Sequence, residues 1–481
     1  MNQPTDTHRD PETHAAATSL AESERIIVAD MTAQIGQSGI RPLRASTPAV
    51  MGEGALASAF AVTPLAVATI GATGAALADV LALRDGARRS VTVDRRLASL
   101  WFSTSLSPQG WTPPPAWDPI AGDYRCRDGW IRLHTNAAAH RRAALRVLGV
   151  DADKDAVAAA VASWDRITLE TAIVTAGGCA AAMHTRRQWA ASGPGRHVAA
   201  EPLIEWNLGS AAGNPWQGPA EVDRPLAGLK VLDLTRVLAG PVATRLLALL
   251  GAEVLRIDPP SWDEPGIVPD VVLGKRCARM DLHDAGDYNQ FLDLLAGADI
   301  IVHGYRPGAL DGLGLDTTLR HNIRPGLIDV SLDAYGWTGP WRTRRGFDSL
   351  VQMSTGIAEE GMRRYQRETP TPLPVQALDH STGYLMAYAV INALTHHAHT
   401  GRGAIARLSL ARTAHLLTSY DRGPHSGVDE SIIRTDADLT PDIEHTSWGP
   451  AQRVRPPLTI DGVDITTDIP AHHLGADAPR W

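Results

Sequence analysis

A single aspartate, Asp379, stands at the entrance to an apolar stretch, LDHSTGYLMAYAVINAL (378–394). A carboxylate in that place has two readings. It caps a helix beginning near Ser381 by accepting backbone N–H groups, or it is a nucleophile that takes up an acyl group. A second chemical feature lies in GLKVLDLTRVLAGPVATRLLALLGAEVLRID (228–258). Val231–Leu234 reads as a buried strand, 235–240 as a turn, 242–250 as a helix stopped by Gly251, and Glu253–Ile257 as a second strand. Pro241 suits the opening of a helix, where its missing N–H costs nothing. Such a turn offers N–H groups and a helix N-terminus to an anion. It lacks G-x-G-x-x-G, so a dinucleotide is not the obvious ligand. Ser381 has no evident triad partners. Eighteen histidines include the pairs His396-His397 and His472-His473 but no H-E-x-x-H, so no metal site is expected.

The elements that must position these groups follow from periodicity. Beyond a linker at 221–226, strands are expected at Lys230–Leu234, Glu253–Ile257, Asp299–His303 and Leu327–Ser331, with helices near 242–250 and 286–296. That alternation predicts an α/β fold with a parallel sheet. An apolar helix over 383–398 and a TGRG turn lead to another strand, Ala404–Leu410. Earlier in the chain, Asp128-Gly129 marks a turn before the alternating strand WIRLH (130–134), and Ala-rich helices follow near 139–148 and 155–163. A weak internal repeat sets ATIGATG (68–74) against ALDHSTG (377–383), each heading a helix, a basic turn and a strand. Aligning Gly74 with Gly383 places Ile70 opposite Asp379.

At 481 residues the chain is long enough for two or three domains. We divide it into a mobile arm (1–45), a degenerate catalytic-helix region with a small domain (46–220), the sheet domain (221–365), the aspartate segment with its helix (366–420) and an extended tail (421–481). A formal charge of −8 argues against a nucleic-acid surface. Three cysteines without C-x-x-C spacing suit a reducing, cytoplasmic setting, with no zinc site or disulfide framework. The polar, acidic N-terminus does not read as a secretory signal. Uncharged Ala61–Ala78 is broken by Pro64, Gly71 and Gly74 and reads as a buried helix rather than a membrane span.

Four blocks in order, LDLTRVLAGP (232–241), GKRCARMDL (274–282), GYRPGALDGLGL (304–315) and LDHSTG with its helix and TGRG turn (378–403), resemble the family III CoA-transferases (CaiB/BaiF type), which include formyl-CoA transferase and the α-methylacyl-CoA racemases. GWTGP (336–340) and GFDSLVQMSTG (346–356) are similar to the family as well. So are GDYRCRDGWIRLH (122–134) and AGGCAAAMHTRRQW (176–189), which resemble its small domain but precede the sheet domain here. The resemblance implies a Rossmann-like CoA-binding domain plus a smaller α+β domain, in a fused, partly deleted duplication. It implies a homodimer, with the family's interlocked topology as one arrangement open to the fused chain.

By the same resemblance, Asp379 attacks an acyl-CoA thioester, giving an acyl-aspartyl anhydride and then an aspartyl-CoA thioester. An incoming carboxylic acid reverses these steps. Backbone N–H groups near Asp379 are expected to stabilise the oxyanions. Coenzyme A, as substrate and product, is expected on Arg236, Val237, Leu238 and Ala239, with Arg256 at the adenine, Lys275 and Arg276 at the phosphates, and Gly304, Tyr305 and Arg306 along the pantetheine. Gly304 replaces a usual Asn, and Gly312 a usual basic residue, for which Arg345 is placed to compensate. Two alternatives stand beside transfer. Racemase relatives carry G-H-D, but Gly346-Phe347-Asp348 offers no histidine as second base. A non-catalytic CoA-binding subunit is the other.

Overall fold

The computed structural model describes residues 11–44, 47–212, 214–420 and 432–481. Its centre is a seven-stranded sheet in the order Lys275–Arg279, Glu253–Asp258, Lys230–Leu234, Ile300–His303, Ile328–Asp333, Arg402–Ser409 and Glu205–Ala212. The first six run parallel and the last is antiparallel. Ile300, Ile301 and Val302 are wholly buried, as expected of a strand covered on both faces. The expected strands fall within two residues of those observed. Two strands of this sheet escaped the sequence reading. Lys275–Arg279 (KRCAR) alternates charge at an edge, and Glu205–Ala212 (EWNLGSAA) comes from the front half of the chain and covers the far edge.

Three helices position the candidate nucleophile. Ala377–Thr400 packs against Val62–Asp85 and against Ala239–Leu249. It is buried almost all round from Ala377 to Leu394, so sequence amphipathicity is weak by necessity. The hydroxyl of Thr73 lies 3.0 Å from the carbonyl oxygen of Tyr384 and 2.8 Å from that of Thr69, tying the first two helices together. Val62–Asp85 is long and apolar enough to cross a membrane, but it is buried inside the fold. Glycine has a clear role at Gly383, one turn beyond Asp379. A Cβ there would stand 2.4 Å from the Ala239 carbonyl oxygen and 2.9 Å from Val242 Cβ. Only a residue without that atom lets the two backbones meet so closely.

The internal repeat is structural, in a different register from the one read in sequence. Helix Val62–Asp85, strand Val91–Asp94 and helix Arg95–Trp101 are matched by helix Ala377–Thr400, strand Arg402–Ser409 and helix Leu410–Thr418. Both long helices end on a left-handed glycine, Gly86 or Gly401, and both short helices are capped by a side chain, Asp94 or Ser409. Pairing helix start with helix start sets Pro64, not Ile70, opposite Asp379.

The small domain is a three-stranded antiparallel sheet, Gly122–Cys126, Gly129–Leu133 and Ala180–Ala182, with helices Ala138–Leu148, Lys154–Val161 and Arg166–Thr175. It holds its own core around Tyr124, Ile131, Leu169 and Ile173. The rest of the expected 46–220 unit belongs to the main body, because Val62–Asp85 and Glu205–Ala212 pack into it. The expected mobile arm contains a helix, Pro11–Gln37, whose Met31 and Ile35 are fully buried. Polar residues around these two concealed the anchoring contact in sequence. The expected tail also does more than drape. Gly449–Arg453 pairs with Leu106–Pro108, and Leu458–Ile460 pairs with Val91–Asp94. Its first part, 421–431, lies outside the described residues.

Candidate active site

The 235–240 turn is held open by buried charge. Val237 adopts φ +65°, which a β-branched residue takes only under constraint, at a cost of about 1–3 kcal/mol. The Glu264 carboxylate accepts its N–H at 2.8 Å, and Arg256 in turn holds Glu264 at 2.5 Å and Asp258 at 2.8 Å. Beneath the turn, Asp233 accepts from Thr235, Thr244 and Lys275, the last at 2.9 Å. Helix Ala239–Leu249 starts within the last residues of the turn. Its N-terminus faces the same space as the turn and carries partial positive charge.

Asp379 sits in the first turn of helix Ala377–Thr400 and is 8% exposed. The helix begins four residues before Ser381, so Asp379 is inside it and is not its cap. The cap function comes from elsewhere in the chain. Asp348 Oδ2 accepts the N–H groups of Leu378 at 2.8 Å and Asp379 at 3.0 Å. Its Oδ1 accepts from Gln352 Nε2, and Gln352 Oε1 accepts from the Leu373 N–H at 2.7 Å. Burial, and then the neighbouring Asp348 carboxylate, hold the Asp379 carboxyl well above the ordinary range. Burial raises Asp348 as well, against the hydrogen bonds it accepts. Two neighbouring buried carboxyls therefore compete for a single negative charge.

Asp379 lies at the junction of two cavities. One, of about 420 Å3, is lined by the 234–240 turn, by Gly304, Tyr305 and Arg306, and by Arg344 and Arg345. With Arg236, four arginines border it. Arg236 donates to the Tyr305 hydroxyl at 2.9 Å and lies over the Trp262 ring. Arg344 is engaged with Glu170 at 2.7 Å. The other cavity, of about 460 Å3, has no lysine or arginine in its lining. Val237, Leu238, Trp262 and Phe347 border both. Phe347 is stacked at 3.7 Å on His134 of the small domain. Both halves of the chain thus build the walls around one aspartate.

Residues 226–439 match the sequence model of CoA-transferase family III. Over this region the chain is similar to that family. Among curated proteins, the acetyl-coenzyme A transferase nodX of Hypoxylon pulicicidum is 36% identical over 188 residues, 38% of this chain and 32% of nodX. A probable fatty acyl-CoA transferase, Rv3272 of Mycobacterium tuberculosis, is 32% identical over 210 residues, covering 41% of this chain and 52% of the relative. The succinyl-CoA–L-malate CoA-transferase alpha subunit of Chloroflexus aurantiacus is 31% identical over 203 residues, 39% of this chain and 47% of that subunit. The crystal structure of Rv3272 aligns at a TM-score of 0.35 with 30% identity, over 40% of this chain and 56% of that one. The chain spans about a third to a half of the length of these curated relatives.

Within the matched region, the expected site residues divide into two groups. Asp379, Arg236, Val237, Leu238, Ala239, Gly304, Tyr305 and Arg306 come together on the arginine-lined cavity, and Arg345 borders it as well. Arg256, Lys275 and Arg276 do not line either cavity. Arg256 and Lys275 are wholly buried and committed to Asp258, Glu264 and Asp233. Arg276 pairs with Glu253 at 2.5 Å on the neighbouring strand, near the sheet edge. Their basic character marks internal ion pairing rather than contact with phosphate. The expected oxyanion donors are also engaged, since Asp348 takes the N–H groups of Leu378 and Asp379. Sequence reasoning missed Asp348, treating it only as the last letter of GFD. The one signal for it was Gln352, one helical turn later. It also missed Glu264, which nothing local distinguishes from a surface acid, and His134.

Proposed function

We propose that this chain transfers coenzyme A between acyl-CoA thioesters and carboxylic acids. The observation that carries the reading is the position of Asp379, between a cavity bordered by four arginines and one bordered by none. The CoA phosphates and pantetheine belong to the first, with Arg236, Arg306 and Arg345 as counter-charges. The acyl group belongs to the second. The Asp379 carboxylate attacks the thioester carbon, the C–S bond breaks, and CoA leaves as thiolate with an acyl-aspartyl anhydride behind it. The thiolate then attacks the aspartyl carbonyl, releasing the first acid and forming aspartyl-CoA. A second carboxylate reverses both steps and leaves as its CoA ester. A desolvated carboxylate is a strong nucleophile once ionised, and the positive N-terminus of its helix favours that form against the burial and the Asp348 carboxylate that oppose it. Phe347 carries no ionisable group, so a two-base racemase route finds no partner at that position. A cytoplasmic homodimer is part of the same proposal, and sedimentation at twice the chain mass checks it.

The test is chemical trapping. Incubation with acetyl-CoA followed by hydroxylamine converts Asp379 to its hydroxamate, read by peptide mass spectrometry. Asp379→Asn abolishes both labelling and turnover. Full turnover in that variant, or active enzyme with Asp379 never modified, refutes the mechanism.

A further inference from the structure

Asp348 and Gln352 stand one turn apart on helix Asp348–Ser354, and both are wholly buried. Polar groups sealed from water are kept where hydrogen bonds satisfy them. Here those bonds run within the pair or to the segment that carries the candidate nucleophile. Gln352 Nε2 donates to Asp348 Oδ1 at 2.5 Å, and Gln352 Oε1 accepts the Leu373 N–H at 2.7 Å. Asp348 Oδ2 accepts the N–H groups of Leu378 at 2.8 Å and Asp379 at 3.0 Å. The first N–H groups of a helix have no partner inside it. Gln376, at the head of this one, supplies no side-chain acceptor, so Asp348 does. The Asp379 carboxyl has no hydrogen-bond partner among the described residues. Its place is fixed through its backbone, and Asp348 is the side chain that holds that backbone.

The same contact brings two carboxyls together with little to neutralise them. Strand Gly129–Leu133 presents Arg132, the cation that bears on Asp348, but Arg132 pairs with Asp123 at 2.8 Å. Strand Ala180–Ala182 has no ionisable side chain. Helix Ile357–Arg364 carries Glu360 and Arg363, paired with each other, and Glu359 beside them. On helix Leu410–Thr418, Arg412 donates to the Glu201 carbonyl oxygen and bears on His415. Next to Asp379 itself stands His380, whose imidazole burial holds down at about 3. On helix Ala239–Leu249, Arg245 is committed to Asp270 at 2.7 Å. Four arginines border the cavity onto which Asp379 opens, yet burial and then Asp348 are what govern its carboxyl.

We infer that Asp348 is a positioning residue for the transfer: anchored by Gln352, it pins the first turn of the nucleophile's helix and sets a like charge against the attacking carboxylate. This rests on the transferase reading above. In the attack an oxygen of Asp379 bonds to the acyl carbon, the C–S bond breaks, and the negative charge departs on the CoA sulfur. The anhydride left on Asp379 is uncharged, so repulsion by Asp348 ends with the step. Asp348 thus favours the forward attack once Asp379 is ionised, and confines that ionised state to higher pH.

The experiment measures kcat/KM for acetyl-CoA against pH in the wild type, Asp348→Asn and Asp348→Ala, with propionate as acceptor. This constant reports ionisations of the free enzyme, and because acetate leaves before propionate reacts, the acceptor's own ionisation does not enter. The wild-type acid limb is expected above pH ~5, beyond the ~3.9 of an ordinary aspartate. Asparagine keeps an oxygen for the two N–H groups and removes the charge. Its limb is expected at least about one pH unit lower, a ~10-fold gain at the foot of the limb relative to each enzyme's own plateau. Alanine gives up the docking as well, and kcat is expected to fall about 100-fold at every pH, with KM for acetyl-CoA within about threefold of wild type. Each limb is read against its own plateau, so partial unfolding does not move it. A wild-type limb at the ordinary aspartate value, or coincident limbs in wild type and Asp348→Asn, overturns the role of the charge. Undiminished kcat in Asp348→Ala overturns the docking role. Both results leave the transferase reading standing while acetyl-CoA and hydroxylamine still mark Asp379 in the wild type; absence of that mark overturns the transferase reading itself.

Discussion

Asp379 holds its proton beyond the ordinary carboxylate range because it is buried beside Asp348, and that has a stability consequence. The native state binds this proton more tightly than the unfolded chain, whose aspartates titrate near pH ~3.9. Stability from this site is therefore full below that pH and declines as pH rises through the raised folded value. Asp379→Asn, which has no proton to lose, is expected to be more stable than the wild type by about 0.5–2 kcal/mol at pH 8, with the gap closing toward pH 4. Denaturant titrations at the two pH values check it; a gap that widens in acid contradicts the assignment. Lys275 makes a contrasting case. Its ammonium is sealed against Asp233, so Lys275→Ala is expected to cost about 3–5 kcal/mol of stability by stranding a buried carboxylate. CoA affinity measured on the folded fraction stays near wild type. A stable variant with weakened CoA binding contradicts this.

At the level of elements, the placement of Asp379 depends on how closely helix Ala377–Thr400 approaches the 235–240 turn. Gly383 sets that distance. Gly383→Ala is expected to push the two helices apart and lower kcat by about 100-fold, since an ångström of misplacement at a reacting centre costs on that order. Circular dichroism should show the fold retained, and near-normal turnover rejects the role. These elements were unevenly legible in sequence. The parallel strands were readable because IIVH and VLDL are continuous apolar runs between turns. The start of the Asp379 helix was not, because Asp348, which caps it, lies 31 residues earlier in the chain. Likewise KRCAR looked like a ligand-binding pair of cations, because sequence cannot show that Asp233 and Glu253 stand opposite. Arg236 and Arg306 were legible on the arginine-lined cavity because each lies just after the end of a parallel strand, where sheets of this class bind ligands.

Across the whole molecule, the two halves are joined by a buried ionic knot. Asp270 Oδ1 accepts from Arg245 at 2.7 Å, Arg453 at 3.1 Å and Ser105 Oγ at 2.5 Å. This links the sheet domain, the front half and the tail. Asp270→Ala is expected to destabilise the protein by about 3–5 kcal/mol and to loosen the tail together with the front half. Thermal unfolding with hydrogen exchange over 449–460 measures both, and a native melting temperature with unchanged exchange contradicts it. The duplication was visible in sequence as a faint echo, but its register was not, because alanine-rich helices match one another at many offsets. Strand and cap positions are what fix it.

That register places Pro64 where the second copy carries its nucleophile, and a pyrrolidine ring has nothing to donate to a thioester. Under the transferase proposal, the two matched units among the described residues therefore hold one nucleophile between them. Mixed with excess acyl-CoA and no acceptor, the protein should release one equivalent of free carboxylic acid per chain in a rapid burst, and never two.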